Sequence, residues 1–257
     1  MGLLHADEAP VYELLREEGK SPLLLTADHA GRLIPRALGD LGVPREEMDR
    51  HIAWDIGIAG VTRRLSEALD ATAILQRYSR LVIDCNRQPH VASAFPVVSE
   101  ATPVPGNVGL DEAGKAARRA AIFDPYHGAI GRLIVERKRT VYVAMHSFTP
   151  VYLAQARPMH VAVLYNRNPR LSKSLAALLR AEPELVVGEN APYRVSDETD
   201  YGVPVHAERG GLDYLEIEIR QDLIAEEAGQ VEWAARLARL LPEALKRLDA
   251  VKARAGA

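Results

Sequence analysis

Two histidines stand where strand-like runs give out. His29 closes Leu23-Leu24-Leu25-Thr26-Ala27-Asp28-His29, and His146 closes Thr140-Val141-Tyr142-Val143-Ala144-Met145-His146. Imidazole is the commonest metal ligand and suits zinc. A catalytic zinc takes three protein ligands and keeps one position open. His29 and His146 would supply two, and the third could be Asp28, Asp55 or a glutamate. Asp55 lies in His51-Ile52-Ala53-Trp54-Asp55-Ile56-Gly57, read as part of the helix after the first strand, from which a carboxylate can turn back to the strand ends. Asp28 adjoins His29, and neighbouring strand residues point to opposite faces, so both bind one ion only if the strand ends between them. The competing reading for each histidine is a hydrogen-bonded core or loop side chain. No HExxH and no paired CxxC adds motif support.

A second group is cationic. Ser79-Arg80-Leu81-Val82-Ile83-Asp84-Cys85-Asn86-Arg87 is an apolar run ending in polar and basic side chains. Arginine grips a carboxylate with two parallel N–H donors. Arg80, Asn86 and Arg87 therefore read as a substrate-carboxylate clamp, or else as surface groups paired with nearby acids. A third group is Leu215-Glu216-Ile217-Glu218-Ile219-Arg220, where alternation puts Glu216 and Glu218 on one face. Glu218, near the strand end, is the candidate general base. The alternative is an edge strand with one wet face.

The elements that must position these groups alternate along the chain. Strand-like runs cover residues 22–27, 72–75, 80–84, 140–145, 159–165, 186–187 and 213–219. Helical spacing covers 46–69, 111–137, 171–181 and 227–248, and residues 9–20 read as a lead-in with a short helical turn. This order predicts a mostly parallel sheet with helices on both faces. Ligands collect at the carboxyl ends of such strands. No linker, repeat or composition shift divides residues 1–257, so one domain is expected. Residues 89–107 lack periodicity, and a loop of that length suits a lid.

Bulk composition excludes several classes. A net charge of −3 with scattered basic residues gives no nucleic-acid footprint, and Arg137-Lys138-Arg139 reads as a solvated helix end. The single cysteine, Cys85, forbids an intrachain disulfide and reads as a small core residue. No apolar run approaches the ~20 residues of a membrane helix. Met1-Gly2 is followed by Ala at position 6, which spoils a myristoylation signal, and the first residues lack a signal-peptide pattern. A cytoplasmic protein without membrane or nucleic-acid partners is expected.

The chain resembles the N-formylglutamate amidohydrolase family. The resemblance rests on Asp28-His29-Ala30-Gly31 with Ile34-Pro35, Trp54-Asp55-Ile56-Gly57, Ser79 to Arg87, Pro125-Tyr126-His127, His146-Ser147-Phe148, Asn190-Ala191-Pro192-Tyr193 and Glu218-Ile219-Arg220-Gln221-Asp222. These occur in family order from about residue 22 to 224. The family looks like a distant relative of zinc carboxypeptidases and aspartoacylases. The resemblance implies a hydrolase-like three-layer α/β/α sandwich on a mixed sheet. It also implies metal-dependent hydrolysis of a small-molecule N-acyl amino acid, N-formyl-L-glutamate first among them. In the aspartoacylase-like pattern an Asp-x-Asn-Arg segment holds the substrate carboxylate, matched by Asp84-Cys85-Asn86-Arg87. A later strand-end histidine completes the metal site, matched by His146, and a late-strand glutamate is the base, matched by Glu218.

One departure matters. The relatives draw two ligands from His-x-x-Glu, and the same register here is His29-Ala30-Gly31-Arg32. Arginine cannot ligate, so the carboxylate must come from elsewhere, and Asp55 is preferred to Asp28. The expected site is a divalent metal, zinc, on His29, Asp55 and His146, with Glu218 as base. Arg80, Asn86, Arg87 and His127 would contact substrate, and Tyr193 and His206 lie in or near a late polar loop that could reach it. A packing role competes for His127. A deacylase for another N-acyl amino acid or small amide, a carboxypeptidase-like peptidase and a non-catalytic anion-binding domain are the rival functions.

Overall fold

The computed structural model describes residues 2–255. Seven strands form the central sheet: β1 (Tyr12–Leu15), β2 (Leu23–Ala27), β3 (Thr72–Gln76), β4 (Val141–Phe148), β5 (Val161–Leu164), β6 (Val187–Glu189) and β7 (Asp213–Arg220). Their spatial order is β1-β3-β2-β4-β7-β5-β6. β3, β2, β4 and β7 run parallel, while β1 pairs antiparallel with β3 and β5 antiparallel with β7. The sheet is mixed, as expected.

Strands covered on both faces become continuously apolar. In β2, Leu23 and Leu25 enter one core, while Leu24 enters the other. Helices α1 (Ile58–Leu69), α4 (Arg170–Leu179) and α5 (Glu227–Ala255) cover the first face, through Ile58, Val61, Leu65, Leu175, Trp233, Leu237 and Leu241. Helices α2 (Glu112–Arg118) and α3 (Asp124–Glu136) belong to the opposite layer, where Tyr126, Ile130 and Leu133 pack with Leu24, Ile74 and Tyr142. A π-helical segment, Arg119–Phe123, joins α2 to α3.

Several expectations are corrected. Residues 80–84 form no strand; they are a largely buried run of turn and irregular chain, with the carbonyls of Leu81 and Val82 taken by the side chains of Asn107 and Arg118. Residues 46–69 are not one helix. A short turn of helix, Arg45–Met48, is followed by irregular chain, and α1 begins only at Ile58. Gly57, with φ +81°, makes the break, and a Cβ there would fall 2.0 Å from the Ile224 carbonyl oxygen. Residues 12–15 form strand β1 rather than a helical turn. Within 89–107, Val98–Ser99 pairs with Thr102–Pro103 in a small hairpin. β7 is no edge strand, because β4 and β5 flank it.

Candidate active site

His29 follows β2 directly, in the turn where the strand ends. Its carbonyl oxygen accepts the Asp55 N–H at 2.8 Å, which docks the irregular chain before α1 onto the end of β2. The Asp55 carboxylate thereby reaches both histidines. Its Oδ1 lies 3.6 Å from His29 Nδ1, and its Oδ2 lies 3.1 Å from His146 Nδ1. Ser147 steadies it, donating its N–H to Asp55 Oδ2 at 3.1 Å. His29, Asp55 and His146 are all buried and present ligand atoms within 4.8 Å of one another.

These residues fit a metal. His29 Nδ1 is buried without a hydrogen-bond partner, while His29 Nε2 is held by Asp84 Oδ1 at 2.7 Å. A carboxylate on the far nitrogen of a ligating histidine fixes its orientation and raises its basicity. Asp28 lies on the other side of His146: its Oδ1 accepts from Tyr126 Oη at 2.7 Å, and its Oδ2 is 3.9 Å from His146 Nε2.

Charge within the cluster is compensated. Burial alone would raise Asp55, but His29 and His146 outweigh it and hold the carboxyl low. Burial likewise works against the charged form of Asp84, and Arg80 and His29 outweigh it. Arg80 donates from Nε at 3.1 Å and Nη2 at 2.7 Å to Asp84 Oδ2, and its Nη1 lies 3.6 Å from Asp55 Oδ1. Burial would lower His146, yet Asp55, Glu216 and Glu218 together raise it.

A cavity of about 460 Å³ opens over this cluster. Glu216 and Glu218 line it from β7, Arg80, Asn86 and Arg87 from the buried turns, and Tyr193 and Asp200 from the late loop. Burial pushes the carboxyl of Glu218 upward, and its Oε2 has no hydrogen-bond partner. The hairpin at 98–103 forms a further wall, pinned by ion pairs from Arg50 to Glu47 and Glu100.

The structure brings His29, Asp55, His146, Glu218, Arg80, Asn86 and Arg87 to one cavity. Their engagements differ. Arg87 Nη1 lies 3.2 Å from Asp200 Oδ1. The side chain of Asn86 braces the late loop, accepting the N–H groups of Tyr201 at 3.3 Å and Gly202 at 3.1 Å and donating from Nδ2 to Asp200 Oδ1 at 3.4 Å. His127, expected to touch substrate, is absent from the lining. Its Nε2 bonds the Cys85 carbonyl at 2.8 Å and its Nδ1 bonds His206 Nε2 at 2.9 Å, among the rings of Phe123, Tyr126 and Tyr201. Both nitrogens are thus committed, and the contact to Cys85 supports the 84–87 turn from behind. His206 is its partner there. Tyr193 does line the cavity, with the Arg157 guanidinium stacked 4.8 Å from its ring and 4.7 Å from that of Tyr152.

Sequence reasoning missed three features. Asp84, expected as part of the clamp segment, holds Arg80 and also orients His29. Glu216 was placed on the face of Glu218 by alternation but given no role. Asp200 carries no local signal, since it meets Arg87 across 113 positions of chain.

The chain matches the family model described as N-formylglutamate amidohydrolase over residues 21–225. No match was found among curated proteins. Among solved structures, a gene product of Agrobacterium tumefaciens is 37% identical, with 96% of this chain and 99% of that one covered and a TM-score of 0.92. An N-formylglutamate amidohydrolase from Ralstonia eutropha JMP134 is 20% identical, with 96% and 99% covered and a TM-score of 0.61. A bacteriophage poly-gamma-glutamate hydrolase is 12% identical, with 96% and 94% covered and a TM-score of 0.51. The last two show a shared fold.

Proposed function

Because the chain belongs to the N-formylglutamate amidohydrolase family, we propose that it hydrolyses the amide bond of an N-acyl amino acid with the help of a divalent metal. N-Formyl-L-glutamate is the proposed substrate, yielding L-glutamate and formate, and zinc the proposed metal. One observation carries the reading: His29, Asp55 and His146 converge beside Glu218, whose carboxylate lines the same cavity with an unpartnered oxygen. His29, Asp55 and His146 would hold the ion, which when bound acidifies water and polarises an acyl carbonyl.

The chain's own groups supply the rest. Glu218 takes a proton from the attacking water and returns it to the leaving amine, a task suited to a carboxylate whose proton affinity burial has raised. Arg80, fixed on Asp84 beside Asp55 and lining the cavity, is assigned to stabilise the negative charge that develops on the acyl oxygen. Arg87 receives the carboxylate of the amino acid in exchange for its contact with Asp200.

The test is formate release from N-formyl-L-glutamate by purified protein, with zinc and with chelator. Zinc-dependent formate supports the reading. Zinc uptake without formate moves the substrate to another N-acyl amino acid, and a protein that neither binds zinc nor releases formate refutes the reading.

A further inference from the structure

Glu216 is left without a task by the reaction just described. It is 4% exposed, and it lines the cavity from the centre of β7. Its Oε2 has no hydrogen-bond partner among the described residues. A buried acceptor left without a partner is destabilising, so it points to a ligand that satisfies it.

The position says which part of a ligand that is. Glu216 and Glu218 share one face of β7, two residues apart, or roughly 6.6 Å along the strand. In the strand register Glu218 lies level with His146 and Glu216 level with Ala144. His146 acts on both glutamates, and Asp200 and Arg87 act on Glu216 as well. Arg87 lines the same cavity, with the carboxylate of Asp200 as its partner. One guanidinium beside two carboxylates complements a ligand that carries both a carboxylate and an N–H donor. The amino-acid half of an N-acyl amino acid is such a ligand.

Resting on the amide-hydrolase reading, we propose that Glu216 is a specificity-determining residue whose carboxylate accepts a hydrogen bond from an N–H donor on the amino-acid half of the substrate. The donor is either the α-nitrogen, as amide N–H and then as product ammonium, or a nitrogen of the side chain.

Calorimetric binding to the zinc-loaded wild type, E216Q and E216A separates these sources. The ligands are L-glutamate, glutarate and L-glutamine. If the α-nitrogen is the donor, the wild type binds L-glutamate at least about tenfold more tightly than glutarate, and E216A removes the difference. If the side chain is the donor, L-glutamine is favoured over L-glutamate by a similar factor, and again E216A removes it. E216Q keeps an acceptor oxygen and the shape of the site. It retains most of the discrimination for a neutral N–H and loses it for an ammonium. Equal weakening of all three ligands in both variants, no change in either variant, or no binding to the wild type overturns the proposal. Formate release from N-formyl-L-glutamate by the same wild-type preparation is recorded in parallel. Release without Glu216-dependent discrimination removes the Glu216 assignment alone. Discrimination without release removes the N-formyl-L-glutamate reading alone.

Discussion

Glu218 and His146 occupy paired positions on two adjacent parallel strands, β7 and β4. That register places a buried carboxylate with a free oxygen next to a buried imidazole whose Nδ1 meets Asp55. Neither strand could slip by one residue without turning its partner away from the cavity. The proposed base and one proposed ligand, His146, are thus locked together by sheet hydrogen bonding.

Glu218→Gln keeps the shape of the side chain and removes its proton affinity. Turnover of N-formyl-L-glutamate should fall by about 10²–10⁴-fold, with zinc content by elemental analysis unchanged. Near-normal turnover would rule out Glu218 as the base.

Zinc uptake should release protons. His146 is held in its charged form by Asp55 and the two glutamates, and ligation needs the neutral imidazole. Calorimetry at pH 7 in two buffers of different ionisation enthalpy should show at least one proton leaving per zinc, and affinity should weaken as pH falls. Uptake without proton release would contradict the ligand set.

Asp84→Asn loosens the grip on His29 Nε2 without touching the ligand atoms. Zinc affinity should drop by about 10–100-fold, read by competition with a chromogenic chelator. Unchanged affinity would mean that Asp84 serves the arginines only.

The two arginines should separate kinetically. Arg87→Ala should chiefly raise KM for N-formyl-L-glutamate, because its contact belongs to the bound substrate and the transition state alike. Arg80→Ala should lower kcat by about 10²–10³-fold, through the loss of a donor to the developing oxyanion. The opposite split would exchange the two assignments.

Buried His127 and half-buried His206 together make stability depend on pH. Burial lowers both, His206 to about 4 and His127 well below the usual imidazole range, with His206 adding to the effect on His127. Their folded values lie below the unfolded value of about 6.5. Their contribution is whole above pH 6.5 and is lost as pH falls towards 4, where the unfolded chain binds the extra protons. Urea denaturation should show roughly 2 kcal/mol lost per histidine between pH 7 and 5. His206→Asn should flatten that slope, and an unaltered slope would count against the pair.

Local pattern was enough to read the layered architecture and to name the side chains that gather at one cavity. Alternating strand and helix patterns imply the two-faced sheet, and the runs that end at His29 and His146 mark which strand ends matter. Alternation alone places Glu216 and Glu218 together, because side-chain direction in a strand is a local property. What needed tertiary structure is every relation set by chain crossing. The run at 80–84 is as apolar as a strand, but no strand pairs with it; its burial comes from the layers around it, and the distant side chains of Asn107 and Arg118 take its carbonyls. Helical spacing across 46–69 cannot show that the chain must break where Gly57 meets the Ile224 carbonyl, and that break is what frees Asp55 to reach His146. His127 and Asp200 were decided in the same way. Hydrogen bonds across 42 and 113 positions fix one behind the site and the other within it, and local pattern carries no information about partners that distant.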